Sequence, residues 1–483
     1  MSKTSKIVLL CVVAIVAACF GLSACQSYSF GPVGPLTSGA TVNNGSLAVL
    51  QDGYLYYVNG MDDVSTVTKP TDNYFGKASV KGSIMKSKVQ EDGTLTDTAV
   101  VVPKFFRTGY TDGGIYIYGE WIYYVSVSTK TDNKDNVLTS TLEYMRTKTD
   151  GTDTQSIAVV DGDTTQYFYT ADALVYYDST NAELVKISYD AKSIGKKSVI
   201  AEEVTSVLFT AQSDVVFFTK ANEKDGVSAN EVYVSVAGAD AVKIMDQYTF
   251  ASVSEGEVAL EQQMEIGLVR YDAAEKALYY SRTSKGGDKA AGTYGYAFGE
   301  TFGAVDKSKE VKFANSALSS VTPLGMANGL MNTSAAEVVI YRPIADVVSG
   351  ADNTIKTSAY SAAPTVLFFE GDYMYYLVNN KLMRCTGYAT ENPAEENLCD
   401  VNMNSTWLKP ARVGDMLYFI NSDESSYLYV INYKSFTFGG DLLKATIASG
   451  YIESDKTEDG LLPKFMTEAD QKTYISAHPA EEE

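Results

Sequence analysis

The segment Gly119-Glu-Trp-Ile-Tyr-Tyr-Val-Ser-Val127 gives the clearest indication of the fold, together with Leu142-Glu-Tyr-Met-Arg-Thr-Lys-Thr-Asp-Gly151. The two segments are typical of paired β-strands, and the closing Asp-Gly pair favours a tight hairpin turn. Both alternating sets of side chains in Trp121–Val125 are apolar or aromatic, whereas a strand with one wet face alternates apolar with polar residues. Both faces of this strand are therefore predicted to be covered by protein.

Variants of the strand recur along the chain, which indicates one supersecondary unit copied around a common core. Eight such anchors occur: Tyr54–Val58, Trp121–Val125, Ala173–Tyr177, Asp214–Phe218, Ala277–Tyr280, Glu337–Tyr341, Tyr373–Leu377 and Met416–Ile420. Their spacing fits the four-strand blade of a β-propeller. The step of 35 residues from position 341 to 376 is short for a full blade, so the count is either seven or eight blades. We predict an all-β propeller of antiparallel four-stranded blades, with eight blades slightly preferred over seven.

A family resemblance follows from the same residues. Trp121–Val125, Leu142–Arg146 and Lys148–Gly151 together resemble the blade motif of the low-density-lipoprotein-receptor-related β-propellers and their bacterial relatives. Several of those relatives are surface lipoproteins of unknown function. The nearest forms of that family's Tyr-Trp-Thr-Asp signature here are Tyr176–Ser179 and Phe217–Lys220. The resemblance implies a propeller over most of the chain and no particular ligand.

The N-terminus carries a processing signal. Lys3 and Lys6 precede an apolar run, Ile7–Phe20, that is short for a membrane span. Its end, Leu22-Ser-Ala-Cys25, looks like the lipobox of bacterial lipoproteins, which implies cleavage before Cys25 and a lipid on its thiol. We therefore expect a lipoprotein signal peptide over residues 1–24 and an extracytoplasmic protein anchored to the cell membrane through Cys25. An ordinary signal peptide and an uncleaved anchor are the alternatives.

The remaining chain divides into three parts. Residues 25–44 contain Tyr, Gly, Pro and Ser without a periodic pattern, which indicates a flexible tether. Residues 45–450 hold the recurring strands and are assigned to the propeller. Residues 451–483 are assigned to a closing segment and a short acidic C-terminal tail.

Composition excludes some classes of partner. The chain has 39 Lys and Arg against 60 Asp and Glu, a formal charge of −21, which becomes −23 when the two lysines of the signal peptide are removed. Such an acidic surface repels nucleic acid and anionic lipid, so no nucleic-acid partner is expected. The 35 Tyr and 19 Phe favour half-buried β-strands.

Two cysteines, Cys385 and Cys399, remain after the signal peptide and the anchor are set aside. They flank a polar segment that contains a proline and is predicted to form a loop. Outside the cytoplasm such a pair is a candidate disulfide, with two unconnected thiols as the alternative. A metal site is not expected because further soft ligands are lacking nearby.

The sequence contains no recognisable catalytic motif. The single histidine, His478, lies in the acidic tail, and phosphate-binding loops, nucleophile elbows and zinc motifs are absent from the sequence. Paired carboxylates could serve a glycan hydrolase, yet no spacing selects a pair. We therefore name no catalytic residue, metal ligand or cofactor.

One segment, Gly292–Gly303, combines glycines with aromatic residues. Its rings Tyr294, Tyr296, Phe298 and Phe302 form a candidate platform for stacking a sugar or peptide. The competing interpretation is a blade strand whose glycines allow close packing.

The sequence as a whole predicts a membrane-anchored binding or scaffolding module for a protein or cell-envelope polymer. A carboxylate-dependent glycan hydrolase or lyase on a propeller scaffold is the alternative.

Overall fold

The chain folds into consecutive antiparallel sheets, each built from strands that follow one another in sequence. A computed structural model describes residues 32–59, 83–91, 95–102, 114–127, 141–161, 166–210, 213–224, 227–246, 248–252, 260–283, 291–318, 321–323, 330–332, 337–341, 344–348, 354–388, 390–400, 403, 410–420, 428–435, 443–444, 456–457 and 460–461. The predicted signal peptide, Cys25, His478 and most of 451–483 lie outside these residues.

Eight sheets of at least four strands are present in the described residues, and we number them as blades 1 to 8. The strands of blades 1 to 4 are β1 Thr41–Val42, β2 Ala48–Gln51, β3 Tyr54–Asn59, β4 Ser83–Val89, β5 Leu95–Val102; β6 Tyr116–Tyr118, β7 Trp121–Val127, β8 Thr141–Lys148, β9 Gln155–Asp161; β10 Tyr167–Tyr169, β11 Ala173–Asp178, β12 Glu183–Tyr189, β13 Ile194–Ala201; β14 Val204–Phe209, β15 Val215–Lys224, β16 Val227–Val236 and β17 Val242–Met245. The strands of blades 5 to 8 are β18 Tyr248–Ser252, β19 Leu260–Asp272, β20 Ala277–Thr283, β21 Gly292–Ala297, β22 Val311–Ala314; β23 Thr322–Pro323, β24 Leu330–Asn332, β25 Glu337–Tyr341, β26 Thr354–Ala359; β27 Thr365–Glu370, β28 Tyr373–Val378, β29 Lys381–Thr386, β30 Ala394–Asp400; β31 Ala411–Val413, β32 Met416–Ile420, β33 Leu428–Asn432 and β34 Leu443–Lys444.

Blades 1 and 5 carry a fifth strand each. Strand β1 pairs with β2, and β18 pairs with the N-terminal part of the long strand β19. A separate hairpin joins β35 Lys456–Thr457 to β36 Gly460–Leu461. Helix is limited, in the described part of the chain, to α1 Ile344–Val348 and a 3-10 turn at Lys307–Lys309. Within that part, no helix has the length and apolar character needed to cross a bilayer.

Hydrophobic clusters join each blade to the next and close the ring. One cluster packs Leu47, Leu55 and Ile84 of blade 1 against Ile122 of blade 2 and against Tyr418 of blade 8. Further clusters join blades 2, 3 and 4, blades 4 and 5, blades 5 and 6, blades 6 and 7, and blades 7 and 8. The all-β propeller prediction is thus confirmed, because every blade is packed between two neighbours.

Strand β7 packs as its sequence pattern predicts. Ile122 and Tyr124 belong to the cluster shared with blade 1, while Trp121, Tyr123 and Val125 belong to the cluster shared with blade 3. All five side chains are 5% exposed or less. Each alternating set therefore faces a different neighbouring blade, which explains why neither set is polar.

A repeated hydrogen bond defines one end of the ring. In six blades, a backbone N–H at the end of the third strand donates to a carbonyl in the turn between the first and second strands. The bonds are Val89 N to Gly53 O, Thr149 N to Glu120 O, Tyr189 N to Asp172 O, Ala237 N to Asp214 O, Phe298 N to Lys276 O and Tyr433 N to Asp415 O, at 2.7–3.2 Å. We call this the turn end, and the opposite end, which carries the connections between second and third strands and between blades, the loop end.

A basic residue recurs on the third strand of three blades. Lys86, Arg146 and Arg384 each pair in register with the middle aromatic residue of the second strand, namely Tyr56, Tyr123 and Tyr375. Each cation also lies over the ring two residues earlier: Lys86 over Tyr54 at 4.7 Å, Arg146 over Trp121 at 4.2 Å and Arg384 over Tyr373 at 5.0 Å. Such contacts stabilise a cation against a ring face. The dipeptides Met85-Lys86, Met145-Arg146 and Met383-Arg384 are the sequence mark of this contact.

The segment before the first blade is held against the ring. The backbone N–H of Val33 donates to Asp150 O at 2.8 Å, and the side chain of Thr37 donates to Gln51 at 2.6 Å. The tether prediction for 25–44 is therefore wrong for the described residues 32–44, which pack on blades 1 and 2. Residues 25–31 lie outside the described residues, and for them the tether stays a prediction.

Candidate functional site

A groove opens between the outer parts of blades 3 and 4. One wall is strand β13, the last strand of blade 3, which pairs only with β12 within the described sheet. Most of its side chains are exposed, because the sequence places Gly195, Lys196, Lys197 and Ser198 in its middle. Its C-terminal residues, Val199 to Ala201, face the cavity. An apolar end on an otherwise polar outer strand distinguishes this wall.

The opposite wall comes from the second and third strands of blade 4. Phe218 and Tyr233 are cross-strand partners, and their rings stack at 5.3 Å with an interplanar angle of 11°. The hydroxyl of Tyr233 donates to Glu231 Oε2 at 2.6 Å. Burial, and next the hydrogen bond to the Glu231 carboxylate, raise the pKa of Tyr233 to about 12. The phenol is therefore neutral at physiological pH and serves as a fixed polar edge of the wall.

The groove encloses a cavity of about 350 Å³. Its exposed lining is polar and apolar in similar shares. Lys220 contributes one cation and Glu202 one carboxylate; the other lining residues are Val199, Ile200, Ala201, Phe218, Tyr233 and Ala241. Val199 is 42% exposed. Apolar concave surfaces with a few polar groups are the usual form of ligand sites. The arrangement suits an apolar group with a polar or charged flank.

Lysines are concentrated along the outer strand of blade 3 although the whole chain is acidic. Lys192, Lys196 and Lys197 lie along the turn and strand that lead to Val199. Lys197 pairs with Glu183 at 2.7 Å and with Asp178 at 3.4 Å, so part of this charge is internally compensated. Lysine on an outer strand also discourages edge-to-edge pairing with other chains.

A pair of carboxyl groups lies elsewhere, in the turn between β19 and β20. Asp272 Oδ2 and Glu275 Oε1 are buried and have no hydrogen-bond partner among the described residues. Burial, and next the charge of Asp272, raise the pKa of Glu275 to about 7, while a hydrogen bond with Tyr279 lowers it. The groove itself is lined by one carboxylate, Glu202. A two-carboxylate hydrolase would need the pair to line a substrate cavity, and the described cavity is lined by neither.

The predicted aromatic platform is not an exposed surface. Tyr294, Tyr296 and Phe298 are 7%, 9% and 8% exposed, and Phe302 is partly buried against the cluster of blades 4 and 5. Arg282 covers Tyr294 with its guanidinium at 4.0 Å from the ring centre. The stacking prediction is corrected on this ground: these rings already have protein partners, so a sugar or peptide cannot reach their faces.

The glycines of the same segment fit the competing interpretation. A Cβ on Gly295 would lie 2.6 Å from the Phe313 ring and 2.9 Å from the Tyr279 ring. Such distances are far below normal contact, so only glycine fits between these rings. The segment contributes β21, a blade strand whose glycine permits close packing.

The candidate disulfide is not formed. Cys385 and Cys399 are free thiols, and both are buried. They lie on adjacent strands, β29 and β30, but Cys385 pairs in register with Glu395 and Cys399 with Leu382. Cys399 lies four residues along β30 from Glu395, the partner of Cys385, and four residues of strand span about 13 Å. A disulfide requires Cα atoms within about 7 Å, and the two thiols also belong to different interblade clusters.

The described residues contain no group of three or more His, Cys, Asp or Glu side chains arranged to hold a metal ion. The groove was missed by the sequence analysis. Its residues come from β13, β15, β16 and the turn before β17, which no local pattern connects. The weak signal that was available is the change from Lys196-Lys197 to Val199-Ile200 within one outer strand.

No protein-family model matches the chain, and no curated protein matches it. Among solved structures, apo AztD from Citrobacter koseri is 9% identical, with 79% of this chain and 94% of that chain covered and a TM-score of 0.42. The β-propeller domain of the Trilobed protease from Pyrococcus furiosus is 7% identical, with 85% and 98% covered and a TM-score of 0.34. A nidogen/laminin complex gives 10% identity, 57% and 89% coverage and a TM-score of 0.25.

These likenesses are too distant to assign a family or a function. The blades, their strand order and the closed set of interblade clusters define the chain as an all-β propeller protein. The resemblance to receptor-related propellers stays a prediction from the sequence.

Proposed function

We propose that the protein is a lipid-anchored, extracytoplasmic β-propeller that binds a protein or a cell-envelope polymer without catalysing a reaction. The observation that supports binding is the groove between blades 3 and 4, where Val199 stays exposed on a folded ring. A closed ring of packed blades is a rigid scaffold, and binding residues on such scaffolds lie at the surface between and beside the repeats. The sequence Leu22–Cys25 supports the lipid anchor.

We do not propose nucleic acid as the partner. The chain has a formal net charge of −21, and such an acidic surface would repel a phosphate backbone. A cavity that combines apolar side chains with Lys220 and Glu202 instead fits an amphipathic group, such as a peptide side chain or a substituent of a polymer.

The anchor is tested by incorporation of a labelled lipid precursor. Wild-type protein takes up label and Cys25→Ala does not. Equal labelling of both forms would remove the anchor from the proposal.

Binding is tested by crosslinking the protein to intact envelopes and comparing two variants. Val199→Glu places a charge in the groove, and Val348→Glu places the same charge at a residue of similar exposure, 47%, in blade 6. We expect the first variant to lose crosslinked partners that the second retains. Identical partners in both variants would exclude the groove as the binding site.

The alternative of a glycan hydrolase or lyase is supported by one observation, the raised pKa of Glu275 beside Asp272. A carboxyl group that is protonated near neutral pH is what a general acid requires. Turnover of a glycan panel that Glu275→Gln and Asp272→Asn both abolish, with the fold intact, would favour this alternative over the binding proposal.

A further inference from the structure

The N-terminal segment crosses the turn end of blades 1 and 2 and is bound there by side chains of both blades. Thr37 and Thr149 bond reciprocally: the Thr37 N–H donates to Thr149 Oγ1 at 2.9 Å, and Thr149 Oγ1 donates to Thr37 O at 2.9 Å. The Thr37 hydroxyl also reaches Gln51 and Tyr56, at 2.6 and 2.5 Å. Thr37 is 4% exposed, so this contact is part of the interior.

A buried lysine holds the same segment. Lys86 Nζ donates to Pro35 O of the segment and to Thr149 O of blade 2, the latter at 3.1 Å. The side chain is 1% exposed and lies over Tyr54 and Tyr56. Burial lowers the pKa of Lys86 to about 8, with opposing charges of Asp150 and Asp52 raising it. One cation thus joins the segment, blade 1 and blade 2.

Two further contacts fix the ends of the segment. Val33 N donates to Asp150 O at 2.8 Å, and the N–H groups of Ser38 and Gly39 both donate to Asp52 Oδ2 at 3.0 Å. Asp150 and Asp52 lie in turns of the turn end. The chain therefore enters the domain at the turn end, next to Asp150.

We propose that residues 33–39 act as a clamp that makes the turn end of the propeller face the membrane. This inference rests on the proposed anchor at Cys25. Seven residue steps separate Cys25 from Pro32, and they reach at most about 25 Å. A blade strand such as β7, with seven residues, already spans about 23 Å. The connection could therefore bring the loop end to the bilayer only in a fully extended form, which costs conformational entropy, whereas the turn end reaches the bilayer without such extension.

The clamp orients the candidate groove as well. Strand β13 runs from the turn end at Ile194 to the loop end at Ala201, so Val199, Ala201 and Glu202 lie towards the loop end. In the proposed orientation this part of the groove faces away from the lipid. A partner in the surrounding envelope can then reach it while the protein stays anchored.

The test uses the full lipidated protein in phosphatidylcholine vesicles that contain a spin-labelled lipid as quencher. A fluorophore is placed on Glu120→Cys, an exposed residue of the turn end, or on Ser179→Cys, an exposed residue of the loop end. Cys385 and Cys399 are 1% and 5% exposed, so the introduced thiol is the reactive one in the described residues. We expect strong quenching at position 120 and little at position 179.

The clamp itself is tested with Lys86→Met and its matched control Lys88→Met, which changes an exposed lysine on the same strand. Lys86→Met should remove the difference in quenching between the two positions and increase hydrogen exchange at Val33 and Thr37. Lys88→Met should change neither. Equal quenching at both positions in anchored wild-type protein would overturn the orientation, whereas failure of either labelled protein to remain on the vesicles would overturn the anchor and the inference together.

Discussion

Arg146 of blade 2 donates from Nη1 to the backbone carbonyl oxygen of Asp190 in blade 3 at 2.6 Å. The same guanidinium gives two bonds to Gln155 Oε1, at 3.0 and 2.7 Å, and lies 4.2 Å from the Trp121 ring centre. Arg146 is fully buried. Arg146 therefore joins blades 2 and 3 through a backbone carbonyl, a side-chain amide and an aromatic ring. It occupies the register position in blade 2 that Lys86, which contacts the clamp, occupies in blade 1.

Replacing Arg146 by Met should destabilise the junction of blades 2 and 3. The change leaves Asp190 O and Gln155 Oε1 without this donor, and a buried acceptor that loses its partner costs roughly 1 to 3 kcal/mol. Urea denaturation measures the free energy of unfolding. Arg384→Met, at the same register position in blade 7, is the control, because its partner Glu396 is half exposed. A cost at Arg146 no larger than at Arg384 would contradict the proposed junction.

The ion pair of Arg282 with Glu310 should contribute more to stability than the pairs at the surface. The two side chains are 4% and 5% exposed, and Tyr280 also donates to Glu310 Oε1. Glu310→Gln removes the carboxylate from a buried guanidinium, which costs about 3 to 5 kcal/mol. Glu396→Gln, in the exposed pair with Arg384, should cost less than about 1 kcal/mol. Thermal and urea unfolding of both variants compare the two costs directly.

The repeat was predictable because each anchor strand packs between two blades, so that both of its alternating sets of side chains are apolar or aromatic. Seven of the eight anchors lie on second strands, from Tyr54–Val58 in β3 to Met416–Ile420 in β32, and the eighth, Glu337–Tyr341, is β25, the third strand of blade 6. The step from 341 to 376 is short because it runs from the third strand of blade 6, β25, to the second strand of blade 7, β28. The apolar character of both strand faces is a local property, so a short window of sequence is enough to detect it.

The errors concern contacts between distant parts of the chain. The segment 33–39 has no periodic pattern because it is held by individual hydrogen bonds to Thr149, Gln51 and Lys86 rather than by a buried face. The aromatic platform was assigned from composition, yet exposure of Tyr294 depends on Arg282 above it. The groove depends on how β13 lies against blade 4. None of these is encoded in a window of neighbouring residues.

Stability should fall as pH rises from about 4.5 to about 7, because Glu275 loses its proton in this range. Its pKa is raised from 4.5 to about 7 in the folded protein, so the folded state binds the proton more tightly than the unfolded state. The favourable contribution is fully present below the unfolded pKa and is lost as pH passes the folded pKa. Glu275→Gln should lack this dependence.

The measurement is the difference in unfolding free energy between wild type and Glu275→Gln at several pH values. Glu120→Gln, in the corresponding turn of blade 2, serves as the control for general charge effects. A difference that does not change between pH 4.5 and 7 would show that Glu275 is not the titrating group.

Cys385 and Cys399 should both react as thiols once the protein is unfolded without reductant. Burial raises the pKa of each to about 12, so neither forms the reactive thiolate in the folded state at neutral pH. We expect negligible alkylation of either cysteine under native conditions and alkylation of both in guanidinium, read by mass spectrometry of the peptides. Cys385→Ser and Cys399→Ser each identify one site. Failure of both residues to react in guanidinium alone, with recovery after reduction, would mean that the register of β29 and β30 is not the one described.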